Sequence, residues 1–179
     1  MFALVPPVFI SDDTGGPNAT HKLFWIVMYR NMPECSAAVL AQELREFWLK
    51  TWLLTVPGLL ALALGGVALW RGWAGAGGPI AGFVVFCLLA LLVKFTPLQR
   101  WLEIRGHETE VQAAVMLYGA DEAEYLALEV GGMRRGYDGL FADVPVETIY
   151  ARMYADKPRA RRFVERHRAI LQRFKQEVR

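Results

Sequence analysis

Two long charge-free runs govern what this chain can fold into. Trp52 to Trp70 reads WLLTVPGLLALALGGVALW, and Pro79 to Val93 reads PIAGFVVFCLLALLV. A bilayer core about 30 Å thick takes about 20 helical residues to cross. The first run has that length, with Trp52 and Trp70 at its ends, where indole rings favour the membrane interface. The second reaches it when extended to Phe95 or Leu98, with Lys94 snorkelling its ammonium to the head groups. The eight residues RGWAGAGG between them leave room only for a tight connection. The expected fold is a mainly α integral membrane protein, a transmembrane helical hairpin carrying a small α+β soluble region.

The chain is 54% hydrophobic, and the two runs hold much of that apolar content. What remains supports at most one compact soluble unit of roughly 130 residues. The expected divisions are edge strands and an amphipathic helix (1–51), the hairpin (52–96), a return helix with short helices (97–156) and a basic terminal helix (157–179). PPVFI and His21–Tyr29 read as extended, with turn-forming residues between them. From residue 34 or 36 a helix sets Leu40, Leu44, Phe47 and Thr51 on one stripe, with Val39, Glu43, Glu46 and Lys50 beside it. Pro57 and the Gly65–Gly66 pair mark a bend in the first span, and Gly58, Ala61 and Gly65 offer a close approach to the second. After Pro97 a helix runs to a Gly119 C-cap, then a short helix over 121–130, a flexible GGMRRGYDG, and helices over 146–154 and 158–178. Cys35 and Cys87 form no disulfide framework, and Cys87 lies within the second apolar run.

Charge sets the orientation. Arg45, Lys50, Lys94, Arg100 and Arg105 flank the open side of the hairpin, and the turn supplies Arg71 alone. Lys and Arg accumulate on the cytoplasmic side of spans, which places both termini in the cytoplasm. The last 23 residues hold nine Lys or Arg against Glu165 and Glu177. Arg159, Arg161, Arg162, Arg166, Arg168, Arg173 and Lys175 are accordingly candidates to hold a protein partner or the lipid bilayer. No aromatic-lined groove or reader motif accompanies them, which argues against nucleic acid. Phe163, His167, Ile170, Phe174 and Val178 form the apolar stripe of this helix, and His167 reads as a partly buried residue rather than a ligand.

Zinc-dependent peptide hydrolysis needs protein ligands, a metal-bound water and a general base. A helix bearing HExxH supplies two histidines one turn apart and a glutamate aimed at that water. The corresponding stretch here is Gln42-Glu43-Leu44-Arg45-Glu46, with Glu43 in place and both histidines replaced. On the helix after the hairpin, Glu103, His107 and Glu110 share a face, with Gly106 between them offering a close approach. The order of strand, motif helix, hairpin and glutamate-bearing helix over residues 21–118 resembles that of membrane-embedded gluzincin metallopeptidases with the HtpX-type layout. That resemblance implies a peptidase-like soluble region. It puts Glu43 in the catalytic position, Gln42 and Glu46 in the first two ligand positions, and Glu103 in the third.

Two readings of function follow. In one, the chain is a catalytically compromised peptidase-like scaffold or adaptor without a cofactor, its acidic helices paired with Arg45, Lys50 and Arg105. In the other, it is an active small metallopeptidase: Glu46, Glu103, His107 and Glu110 gather one divalent ion (Zn or Mn), and Glu43 activates water. A peptide substrate belongs only to the second, pairing with an edge strand near residues 23–28. The same charges also read as ordinary solvated faces of helices. No nucleophile elbow, phosphate loop or dinucleotide fingerprint is present.

Overall fold

The computed structural model describes residues 6–11, 19–21, 25–29, 36–73, 75–92, 96–119, 122–136, 140–155 and 157–177. Expectations for the first turn, Lys94 and Cys35 lie outside the described residues. The chain divides into two units, Trp48–Leu102 and the remainder. Helices dominate both, and one small sheet accompanies them.

The sheet joins β1 (Val8–Ser11), β2 (Ala19–His21) and β3 (Ile26–Tyr29) in the order β1-β3-β2. β1 lies parallel to β3 with Val8 opposite Ile26, and β2 lies antiparallel to it with Ala19 opposite Met28. This corrects the expectation of an edge strand: β3 is central. Ile26 and Met28 are wholly buried, the alternation of a strand with one face in the core. With neighbours on both sides, β3 has no open edge for a substrate strand.

In α1 (Ser36–Lys50) the Tyr118 hydroxyl accepts from the Ala37 N–H at 2.9 Å, satisfying a donor of the first described turn. Its burial corrects the expected stripes. Every residue from Ser36 to Leu44 is buried, and so is Glu46. α4 (Thr96–Tyr118) ends as the sequence predicts, at Gly119 with φ +64°. α5 (Glu122–Gly136) passes through Gly131 and Gly132, where a flexible segment was expected. Its buried Tyr125, Leu126 and Val130 supply packing that outweighs the poor helix propensity of glycine. α6 (Val146–Tyr154) matches its predicted bounds, and α7 (Pro158–Glu177) buries Ala160, Phe163, Val164, His167, Leu171 and Phe174.

In the other unit, helix continues from Lys50 through a single π turn, Thr51–Thr55, into α2 (Val56–Trp70). Pro57 explains the π turn. It has no N–H to donate, and its ring crowds the carbonyl four residues back, so the ladder widens just before it. The Val56 N–H accordingly reaches the carbonyl of Thr51, five residues away. The α2 end is a Schellman arrangement: Gly72 has φ +70°, and the Trp73 N–H donates to the Ala68 carbonyl at 2.9 Å. α3 (Gly77–Leu92) then packs back along α2 through small residues, as the sequence predicts. A Cβ on Gly65 would strike the Gly78 carbonyl, one on Gly82 would come within 2.6 Å of the Ala61 oxygen, and one on Gly58 would meet the Phe86 ring. Bare backbone at these points lets the two helices touch.

Among the described residues one helix, Ser36–Trp70, is long and apolar enough to cross a bilayer, while the apolar stretch Gly77–Leu89 is shorter. The expected extension of the second span to Phe95 or Leu98 passes through residues 93–95, which lie outside the described residues. α3 as described has 16 residues. At 1.5 Å per residue, α3 is about 24 Å long.

Candidate functional site

α1 and α4 bring the motif residues together within one unit. Gln42 and Glu46 lie one turn apart on α1, and the Gln42 amide donates from Nε2 to Glu46 Oε1 at 3.1 Å. Both press on α4 where it lacks a side chain. A Cβ on Gly106 would lie 2.5 Å from Glu46 Oε1 and 2.9 Å from Gln42 Cγ. The close approach expected of Gly106 is thus the contact that joins the two helices.

Glu43, Glu46, Glu103, His107 and Glu110 are all buried, none more than 9% exposed. This corrects the reading of these charges as solvated helix faces. Burying ionisable groups is costly unless each is bonded, and the structure supplies bonds. His107 Nδ1 lies 2.9 Å from Glu110 Oε2, and the Tyr125 hydroxyl donates to Glu110 Oε1 at 3.2 Å. Among the described residues, no three His, Cys, Asp or Glu side chains gather where one ion could touch them all. Gln42, an amide and a poor zinc ligand, is bonded to Glu46, so this pair does not fit the first two ligand positions of a catalytic zinc.

The basic candidates on α7 separate by environment. Arg159, Arg161, Arg162, Arg166, Arg168 and Arg173 are exposed, and Arg173 pairs with Glu177 at 2.8 Å. Lys175 has a different job. Its Nζ donates to the Leu117 carbonyl at 2.6 Å and sits 4.1 Å from the centre of the Tyr118 ring. It therefore satisfies the C-terminal end of α4, where a cation is favoured. His167 is buried as expected. Its Nδ1 bonds the Phe163 carbonyl at 2.9 Å, and Nε2 has no partner among the described residues.

One group escaped the sequence reading. Glu108 is buried and meets three cations: Arg105 at 2.8 Å, Arg152 at 3.1 Å and Lys157 at 3.3 Å. Only the local Glu108–Arg105 spacing of three could have signalled it, because Arg152 and Lys157 arrive from distant sequence. No family model, curated protein or solved structure matches the chain.

Proposed function

We propose that the chain is a membrane-anchored scaffold or adaptor with a peptidase-like, catalytically compromised pair of helices. In this reading the α2–α3 hairpin crosses the bilayer twice and leaves both termini in the cytoplasm. The exterior of the hairpin carries the proposal. Leu59, Leu60, Leu64 and Val67 on α2, and Phe83, Val84, Leu88 and Leu91 on α3, are each more than 45% exposed. Large apolar side chains standing open on two packed helices are what a bilayer would cover. A described length of about 24 Å for α3 is accommodated by local thinning of the bilayer.

The Gln42–Glu46 bond supports the compromised half of the proposal. Two positions that the gluzincin resemblance assigns to zinc ligands are occupied by an amide and a carboxylate bonded to each other. Such a pair is a stable structural joint and a weak zinc site. The outward arginines of α7 then supply a surface for an acidic protein partner or for anionic lipid.

Burial of Glu43, Glu46, Glu103, His107 and Glu110 in one unit favours a second reading, an atypical carboxylate-rich metallopeptidase. The two part on a single experiment. Purified protein is titrated with Zn and Mn, and peptidase activity is compared with that of Glu43→Gln. The scaffold reading expects no stoichiometric metal and no Glu43-dependent cleavage. One bound ion per chain, with activity abolished by Glu43→Gln, overturns it.

A further inference from the structure

A cavity of about 340 Å³ opens within the larger unit, lined by Arg45 of α1, Arg105 and Glu108 of α4, and Lys157, Arg159 and Arg162 at the start of α7. We infer that this cavity is a binding site for the phosphate group of an anionic ligand. Five cationic side chains face one carboxylate there. That carboxylate is already shared, since Glu108 bonds both Arg105 and Lys157 and is also reached by Arg152. The cavity retains a strong positive excess in a partly water-excluded hollow, where charge is felt most.

The supply of donors fits phosphate in particular. Arginines present planar forks matched to phosphate oxygens, and these come from three separate elements. The beginning of α7 adds backbone. The Arg161 N–H makes the 2.9 Å bond to the Lys157 carbonyl, so the N–H groups of Arg159 and Ala160 precede the helical ladder. A helix start of this kind favours anions, and α7 has 20 residues behind it. Thr109 also lines the cavity, its hydroxyl committed to the Arg105 carbonyl at 3.0 Å. The volume falls within the range of about 300–1,000 Å³ usual for small-molecule sites.

Arg45 registers the crowding. Burial, and then its neighbours Arg105, Arg159 and Arg166, hold its guanidinium below the ordinary value, with Glu108 opposing them. Its planar group also lies 5.0 Å from the centre of the Phe163 ring, which fixes its position at the cavity. A bound phosphate would relieve the repulsion among these cations. Binding of free phosphate is independent of whether Glu43 is catalytic or the hairpin is in a bilayer, and recognition of a lipid head group rests on the bilayer reading.

The experiment uses the full chain in two arms. In neutral detergent, inorganic phosphate is titrated calorimetrically against chloride at constant ionic strength. In nanodiscs, phosphatidylcholine is compared with phosphatidylcholine containing phosphatidic acid, reading protection of the Arg159 backbone amide by hydrogen exchange. Each is repeated with Arg45→Gln, Arg159→Gln and, as a control of equal charge away from the cavity and from α7, Arg71→Gln. Loss of about tenfold or more in affinity for Arg45→Gln and Arg159→Gln, with Arg71→Gln within about twofold, is the expected result. Binding of free phosphate identifies a soluble phosphorylated ligand, and response to phosphatidic acid alone identifies a lipid head group. Both sustain the site. Equal losses in all three variants, or no preference for phosphate in either arm, overturn it. Arg159 is exposed, so its variant decides the matter even if Arg45→Gln fails to fold.

Discussion

Gln42 and Glu46 share a hydrogen bond of 3.1 Å in the positions where the gluzincin resemblance would set two zinc-binding histidines. Replacing the amide by a hydrocarbon of similar size removes a buried donor from a buried carboxylate. Gln42→Leu should lower unfolding free energy by about 1–3 kcal/mol in a denaturant titration. The double substitution Gln42→His with Glu46→His tests the resemblance itself. With Glu103 in the third position, it should bind zinc near stoichiometrically, and a protein that still takes up none would count against the likeness.

Gly106 and Gly132 make opposite predictions from the same substitution. Both are helical, and alanine is worth up to about 1 kcal/mol over glycine in a helix. A Cβ at Gly132 meets nothing within 4 Å, so Gly132→Ala should raise the unfolding midpoint. At Gly106 it meets Glu46 and Gln42 instead. Overpacking there costs about 1–3 kcal/mol, so Gly106→Ala should lower the midpoint.

His167 should make the larger unit sensitive to mild acid. Burial holds its imidazole below its ordinary pKa of 6.5, and the nearby Arg166 and Arg45 add to the depression against the Phe163 carbonyl bond. The unfolded chain therefore takes up a proton first. Stability is intact above about pH 6.5 and is lost progressively as pH falls from there toward the folded value. His167→Phe should flatten that slope between pH 7 and 5 in unfolding measurements. An unchanged slope would assign the acid sensitivity elsewhere.

The hairpin has its own pair of contrasting glycines. A Cβ on Gly65 collides with backbone of Gly78 and Pro79, whereas one on adjacent Gly66 meets nothing within 4 Å. Gly65→Ala should therefore destabilise the hairpin in a detergent-unfolding titration by about 1–3 kcal/mol, and Gly66→Ala should leave it unchanged or slightly more stable.

Local signals in the sequence translated faithfully into structure. The Gly119 cap, the bounds of α6 and the small-residue seam of Gly58, Ala61 and Gly65 each depend on neighbours within a turn or on a helix face. What failed depended on distant chain. β3 reads as an edge strand because its two partners are short and come from either side of a turn-rich segment. α5 outlasts its glycines because tertiary packing, invisible in a propensity sum, holds it. For the candidate site, the sequence named Glu43, Glu46, Glu103, His107 and Glu110 and placed them on facing helices. It could not tell buried from solvated carboxylates, since that depends on Tyr125 and on the backbone at Gly106. Glu108 and the cavity beside it were hidden for the same reason: their cations come from three elements far apart in sequence.

Membrane crossing by the α2–α3 hairpin is tested most directly by labelling from one side. In a chain with Cys35→Ser and Cys87→Ser, Trp73→Cys marks the turn and Gln176→Cys the end of α7. Sealed vesicles of defined orientation are treated with a membrane-impermeant maleimide before and after permeabilisation. Opposite protection is the predicted outcome, with one site reacting at once and the other only after the membrane is opened. Reaction of both at once, or release of the chain from the vesicles by alkaline carbonate, would contradict a bilayer-spanning hairpin.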